Sequence, residues 1–370
     1  VNNIYDIAKP WIKNLAVYEP GKPIEETARE LGFDDPSEII KLASNENSLG
    51  PSPLAARAMR KAISSMHRYP DGDAFYLSRK LAAKLNIKPD QLAFGTGSNE
   101  IIDLLCRIFL DENSSIVASE RAFVIYRIIA ASFKARTIQA PMKGFTHDPD
   151  AMLAAIEPST RLVFFANPNN PTGTIVDGPA LDRFMDKVPP HVMTVLDEAY
   201  IELLPPKKRP DSLRYVRENR NVIVLRTFSK TYGLAGLRLG YGIAPKECIS
   251  LINRVRQPFN VNAMAQAAAI AALDDGKFVD KTCATIARGL AYFERELTAS
   301  GIKFVPSVAN FMLVEVGSGR NIFEAMLREK VIVRPMDVYG LPSHVRITVG
   351  TLGENRRCVK ALRKVLAAAV

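Results

Sequence analysis

From residue 50 to about residue 265, short runs of Val, Ile, Leu and Phe alternate with longer stretches whose apolar residues recur every three or four positions. The short runs read as strands buried on both faces, and the stretches between them as amphipathic helices. The pattern predicts strands at Gln91–Phe94, Ser115–Ala118, Arg161–Ala166, Val192–Leu196, Val222–Arg226 and Leu239–Ile243. Helical periodicity separates most of them, including Ile101–Leu110 and Asp177–Lys187. Strands and helices in that rhythm build an α/β domain around a mostly parallel, doubly wound sheet.

Both ends depart from this rhythm. Residues 1–45 hold Pro10, Pro20, Pro23 and Pro36 and one short helical pattern, Ile24–Leu31, so they read as an arm that packs on the small domain or a partner subunit. Beyond residue 265 come an alanine-rich helix at 264–273, a long helical pattern at Lys281–Ser300, strands near Phe311–Val316 and Val345–Val349, and a closing helix at Glu354–Ala369. The expected division is an arm (1–45), a large domain (46–265) and a smaller α+β domain (266–370). At 370 residues the chain also exceeds the length one hydrophobic core usually serves.

Composition narrows the partners. Lys and Arg number 49 against 39 Asp and Glu, a net charge of +10, but the basic residues are scattered and form no long run. That favours anionic small molecules over nucleic acid. The four cysteines (Cys106, Cys248, Cys283 and Cys358) form no CxxC pair and read as reduced thiols of a cytoplasmic protein. The four histidines are equally dispersed, so no metal site is expected. No apolar stretch approaches the length of a membrane span, and Val1-Asn-Asn-Ile-Tyr-Asp6 does not read as a secretory signal.

Four segments at predicted strand ends carry candidate chemistry, because ligands of open α/β sheets bind beyond the carboxyl ends of the strands. Thr227-Phe-Ser-Lys-Thr-Tyr-Gly-Leu-Ala-Gly-Leu-Arg238 sets a lysine suited to a Schiff base among two hydroxyls and an arginine suited to a phosphate. Pyridoxal phosphate carries both an aldehyde and a phosphate. Gly95-Thr-Gly-Ser-Asn99 leads into a helix start that would cup an anion, with Ser98 as N-cap; it is equally a plain strand–helix turn. Asn167-Pro-Asn-Asn-Pro-Thr-Gly173 is a rigid turn that could bring an amide to a ligand oxygen. In Val195-Leu-Asp-Glu-Ala-Tyr200, Asp197 is a helix cap, half of a core ion pair, or a carboxylate that keeps a pyridine nitrogen protonated. Tyr200 is within reach of the same ring.

The chain resembles the fold-type I pyridoxal-phosphate aminotransferases of the aspartate aminotransferase superfamily, and more narrowly the histidinol-phosphate aminotransferases. The resemblance runs nearly end to end, through Tyr18–Glu26, Lys41–Gly50, Arg68-Tyr-Pro-Asp-Gly72, Asn167–Gly173, Asp197-Glu-Ala-Tyr200, Ser229-Lys230 with Gly236-Leu-Arg238, and Arg346-Ile-Thr-Val-Gly350. It implies that Lys230 binds the cofactor covalently and Asp197 pairs with its pyridine nitrogen. It likewise implies that Asn170 and Tyr200 contact the ring oxygen, that Phe123 stacks on the ring, and that Ser98, Asn99, Thr227, Ser229 and Arg238 hold the phosphate. Tyr69 would reach the phosphate of the neighbouring subunit, which implies a homodimer, while Tyr18, Arg334 and Arg346 would meet the substrate.

The implied reaction is a ping-pong transamination with 2-oxoglutarate and glutamate as one substrate pair. Histidinol phosphate is the expected donor. An aromatic amino-acid aminotransferase would share the same catalytic set, and a decarboxylase or lyase on this scaffold is a further alternative. A ligand-sensing regulator would need a DNA-binding module for which the chain has no spare length. Ser48 and Arg121-Ala122 depart from the family pattern, at positions expected near the substrate entrance.

Overall fold

The computed structural model describes residues 3–15, 17, 18 and 20–368. Val1 and Asn2 of the opening segment, Glu19 within the Tyr18–Glu26 stretch, and Ala369 of the closing helix lie outside the described residues.

Seven strands form the larger sheet: Leu92–Gly95 (β1), Ser115–Ser119 (β2), Arg136–Ala140 (β3), Thr160–Ala166 (β4), Met193–Asp197 (β5), Val222–Thr227 (β6) and Gly240–Ile243 (β7). Their spatial order is β1-β7-β6-β5-β4-β2-β3. Every pairing from β6 to β3 is parallel, and only β7, lying between β1 and β6, runs antiparallel. The reversal follows from the connection. Residues 228–239 contain a single short turn of 3-10 helix and no crossover helix to carry the chain back for a parallel strand.

β6 shows why these runs are apolar at every position. Val222 and Val224 join the core on one face of the sheet, and Ile223 and Leu225 the core on the other. Gly178–Lys187 and Ala263–Ala272 cover the first face, Ser98–Phe109 and Lys246–Val255 the second. Each such side chain fully withdrawn from water stabilises the fold by roughly 2 kcal/mol. β3 has no counterpart among the expected strands. It lies at the sheet edge with Arg136 and Gln139 exposed, so its sequence shows no apolar run.

A second, antiparallel sheet has the order β8-β9-β11-β10, from Phe304–Val305 (β8), Phe311–Glu315 (β9), Arg334–Met336 (β10) and Leu341–Thr348 (β11). Helices Gly276–Ala299, Gly319–Arg328 and Leu352–Ala368 share its core through Phe293, Met326 and Leu362. Ile40–Lys41 pairs in parallel with Val331–Ile332, and the Thr348 N–H donates to the Leu42 carbonyl at 2.8 Å. Residues 40–45 therefore lie against the second sheet, where they face the first. Among the described residues, no helix is long and apolar enough to cross a membrane.

Candidate active site

The register of the larger sheet sets the floor of the site. Ala166 lies beside Asp197, and Asp197 beside Leu225, so the chain leaves β4, β5 and β6 at nearly one level. Glu198 and Arg226 tie the last two exits together, with Arg226 Nε and Nη2 donating to Glu198 Oε2 at 2.9 and 2.8 Å. The core ion pair considered for Asp197 thus belongs to its neighbour. Asp197 itself is buried, accepting from the Tyr126 hydroxyl at 2.6 Å on Oδ2 and from the Ala199 N–H at 3.1 Å on Oδ1. Burial raises its pKa, while these two hydrogen bonds and the nearby Lys230 act against the rise.

Lys230 projects from the segment after β6, and its Nζ donates to the Ser44 carbonyl at 3.2 Å. Burial, reinforced by Arg346, lowers its pKa from 10.5 to about 8, against the pull of Glu46 and Asp197. Tyr200 lies opposite with its ring edge-on to Phe311 at 5.2 Å. Burial pushes its hydroxyl up to about 12, so it remains a protonated donor through neutral pH.

A cup forms where the helix Ser98–Phe109 begins. Here the expected cap is corrected: Gly97 is the N-cap, and Ser98 is the first helical residue. Gly97 has φ +72°, a left-handed conformation that lets the chain turn directly into the helix and leaves Ser98 free of the capping duty. A Cβ on Gly97 would lie 2.5 Å from Arg238 Nη2, and one on Gly240 2.2 Å from Ser98 N. These glycines let the helix start, Arg238 and the β6–β7 connection converge. The Ser229 N–H donates to Thr227 Oγ1 at 3.0 Å, which completes the rim.

The opposite wall comes from the second sheet. Arg334 and Arg346 are direct cross-strand partners on β10 and β11. Like charges so placed repel, and here both are buried. Arg346 Nη1 donates to Asn170 Oδ1 and Nη2 to the Ala43 carbonyl, while Nε is buried without a hydrogen-bond partner. With Oδ1 engaged, Asn170 has its amide N–H groups left to donate. The Arg334 guanidinium lies 5.9 Å from the Tyr18 ring centroid. Two adjacent buried arginines, one with an unmatched donor, are the chemistry of an anion site.

These residues surround one cavity of about 370 Å3, whose lining includes Tyr18, Ser98, Asn99, Phe123, Asn170, Asp197, Tyr200, Thr227, Ser229, Lys230, Arg238, Arg334 and Arg346. A wider depression of about 990 Å3 between residues 72–94 and 246–261 contains none of them. Of the sequence candidates, only Tyr69 stands outside the cavity; it is 82 % exposed and stacked on Phe259 at 4.8 Å. Ser48, Arg121 and Ala122 do not line the cavity either. Asn45, Tyr126 and Tyr339 do line it, and sequence reasoning passed over them. Tyr126 lies three residues after Phe123 within one apolar stretch, and nothing in that stretch announces a hydroxyl aimed at Asp197.

The set suits pyridoxal phosphate on the structure's own terms: an amine with lowered pKa, a buried acid, a donor hydroxyl and a glycine-lined anion cup open on one cavity. Residues 37–362 match the family model described as aminotransferase class I and II. A histidinol-phosphate aminotransferase of Akkermansia muciniphila is 48 % identical over 98 % of this chain and all of that protein. One of Moorella thermoacetica is 48 % identical over 96 % of this chain and 92 % of its own length. The crystal structure of a Sinorhizobium meliloti histidinol-phosphate aminotransferase in complex with pyridoxal-5'-phosphate superposes with a TM-score of 0.91, at 28 % identity and 98 % coverage of both chains. Aspartate aminotransferase of Thermus thermophilus shares the fold, with a TM-score of 0.84 at 21 % identity. The chain belongs to the histidinol-phosphate aminotransferase family within the class I and II aminotransferases, and is a pyridoxal-phosphate-dependent enzyme of that class.

Proposed function

We propose that this enzyme moves the amino group of histidinol phosphate to 2-oxoglutarate, with pyridoxal phosphate attached at Lys230. The observation that carries the reading is the single cavity in which the Lys230 amine, buried Asp197 and the paired Arg334 and Arg346 face one another. Bound there, the cofactor supplies an aldehyde to capture amines and a ring to take up the electron pair left at the donor Cα.

With the cofactor bound, Lys230 Nζ would carry the proton between the donor Cα and the cofactor, a task that suits a buried amine whose pKa lies below that of an ordinary lysine. Asp197 holds a proton at the pyridine nitrogen, and Tyr126 and the Ala199 N–H keep its carboxylate oriented. Asn170 and Tyr200 donate to the ring oxygen, and Phe123 packs against the ring. Ser98, Asn99, Thr227, Ser229 and Arg238 bind the phosphate. Arg334, Arg346 and Tyr18 bind the anionic end of the substrate, the phosphate of the donor or a carboxylate of 2-oxoglutarate. The names of relatives at 48 % identity over nearly the whole chain favour histidinol phosphate over phenylalanine or tyrosine.

The proposal extends to assembly, domains and place. Met66, Tyr69, Phe75 and Tyr76, within one stretch, and Phe259, on which Tyr69 stacks, are exposed large apolar or aromatic residues. A homodimer buries that face and brings Tyr69 to the phosphate of the neighbouring subunit. The arm, large domain and small domain divide at residues 45 and 265, and the enzyme works in the cytoplasm. The test mixes purified holoenzyme with one amino donor at a time and follows the change in cofactor absorbance. Histidinol phosphate is expected to react faster than phenylalanine or tyrosine by roughly tenfold or more; equal or slower reaction overturns the donor assignment.

A further inference from the structure

Asn45 has no part in the roles above, yet it sits in the cavity wall between the two sheets, buried and with φ +54°. A positive φ is uncommon outside glycine and persists where the surroundings impose it. Here they do. The Asn45 N–H donates to Thr348 Oγ1 at 2.9 Å, the Thr348 hydroxyl donates to Asn45 Oδ1 at 3.2 Å, and Asn310 Nδ2 donates to the Asn45 carbonyl at 3.0 Å.

These bonds orient the side-chain amide. With Oδ1 occupied by Thr348, Asn45 presents Nδ2, which donates to the Tyr200 hydroxyl oxygen at 3.0 Å. A phenol has one proton, and a donor seated on its oxygen leaves that proton to be given elsewhere. Thr348 is also two residues from Arg346 on β11, so one short relay joins the substrate arginine's strand to the hydroxyl of Tyr200.

We propose that Asn45 is a positioning residue: it fixes Tyr200 as a hydrogen-bond donor toward the cofactor's ring oxygen and couples that donor to β11 through Thr348. The inference rests on the proposed placement of the cofactor beside Tyr200. Charged and titratable groups facing Tyr200 and Lys230 from the surrounding elements are Arg346 on β11, Asp197 on β5, Tyr126 beside Asp197, Tyr339 before β11, Arg238 after β6, and Glu46 beside Asn45. The variants used to test the relay leave all of them in place.

A donor to the ring oxygen stabilises its ionised form, so the proton shared between that oxygen and the linked lysine nitrogen leaves at lower pH. Losing the donor therefore raises the midpoint of the holoenzyme's pH-dependent absorbance change. Tyr200→Phe sets the scale, with a rise of about one pH unit. Asn45→Gly, which tolerates the positive φ, is expected to raise the midpoint part of the way and to lower kcat with little change in the donor KM. In a Tyr200→Phe background it is expected to add nothing further, because its effect passes through that hydroxyl. Thr348→Val makes the same test without touching Asn45 and serves if the glycine variant does not fold. A wild-type midpoint in both Asn45→Gly and Thr348→Val overturns the inference alone. So does an effect that adds undiminished to Tyr200→Phe. A Tyr200→Phe enzyme that itself titrates like wild type removes both the inference and the placement of Tyr200 beside the cofactor.

Discussion

The floor and the far wall of the cavity are built by different means. On the floor, each polar group sits within a few residues of a strand end: Asp197 closes β5 and Tyr200 follows it, Thr227 closes β6 and Ser229 and Lys230 follow it, and Ser98 comes after β1. On the wall, Arg346 meets Asn170 and Ala43, and Asn45 meets Thr348, across separations of 176 and 303 residues. The floor is stated locally by the chain, while the wall exists only once two sheets and an arm have come together. The lesson is that reaction chemistry resides in the rigid, local part, and substrate choice in the assembled part.

Substitutions on the two sides should therefore fail differently. Lys230→Ala should have the largest effect, lowering multiple turnover by at least about 10⁴-fold, because it removes both the attachment point and the proton carrier. Single-turnover and steady-state rates with histidinol phosphate check this, and near-normal turnover would break the floor's claim to the chemistry. Asp197→Ala should still take up cofactor yet lose roughly 10³-fold in kcat, since the ring nitrogen loses its buried partner. A normal kcat would remove the role given to Asp197.

The wall arginines should respond in KM, unlike Asn45, which bears on the floor through the Tyr200 hydroxyl. Arg346→Lys keeps the charge but loses the planar fork that reaches Asn170 and Ala43. It should raise the KM for histidinol phosphate and 2-oxoglutarate by about 10–100-fold, with a smaller change in kcat. A kcat loss as deep as that of Asp197→Ala would erase the distinction between the two regions. The smallest effect concerns pH. The neutral amine is the nucleophile, and Lys230 with pKa about 8 is mostly ammonium below that pH and mostly amine above it. The rate at which apoenzyme takes up pyridoxal phosphate should rise through pH about 8 and then level off. A rate still climbing toward pH 10 would show an ordinary lysine.

The same contrast explains what could be read from the sequence. The strands β1, β2, β4, β5 and β6 were legible because burial on both faces demands unbroken apolar runs. The loops after them were legible because lysine, aspartate and paired glycines are costly or unusual in such places. β3 was not legible, since an edge strand with Arg136 and Gln139 exposed carries no such run. Ser98 looked like the cap because serine is a favoured cap residue, but the left-handed φ of Gly97 ends the turn one residue earlier. Tyr126 and Asn45 carry no local signal for one reason. Their meaning lies in a partner 71 or 155 residues away, Asp197 or Tyr200, and no local pattern encodes that pairing.

Borohydride reduction of the holoenzyme followed by peptide mass spectrometry tests the central claim most directly, because it fixes the cofactor to whichever amine holds it. The expected result is one pyridoxyl-phosphate adduct, on Lys230 of the Thr227–Arg238 segment. An adduct on another lysine, or none in an enzyme active before reduction, would contradict the account.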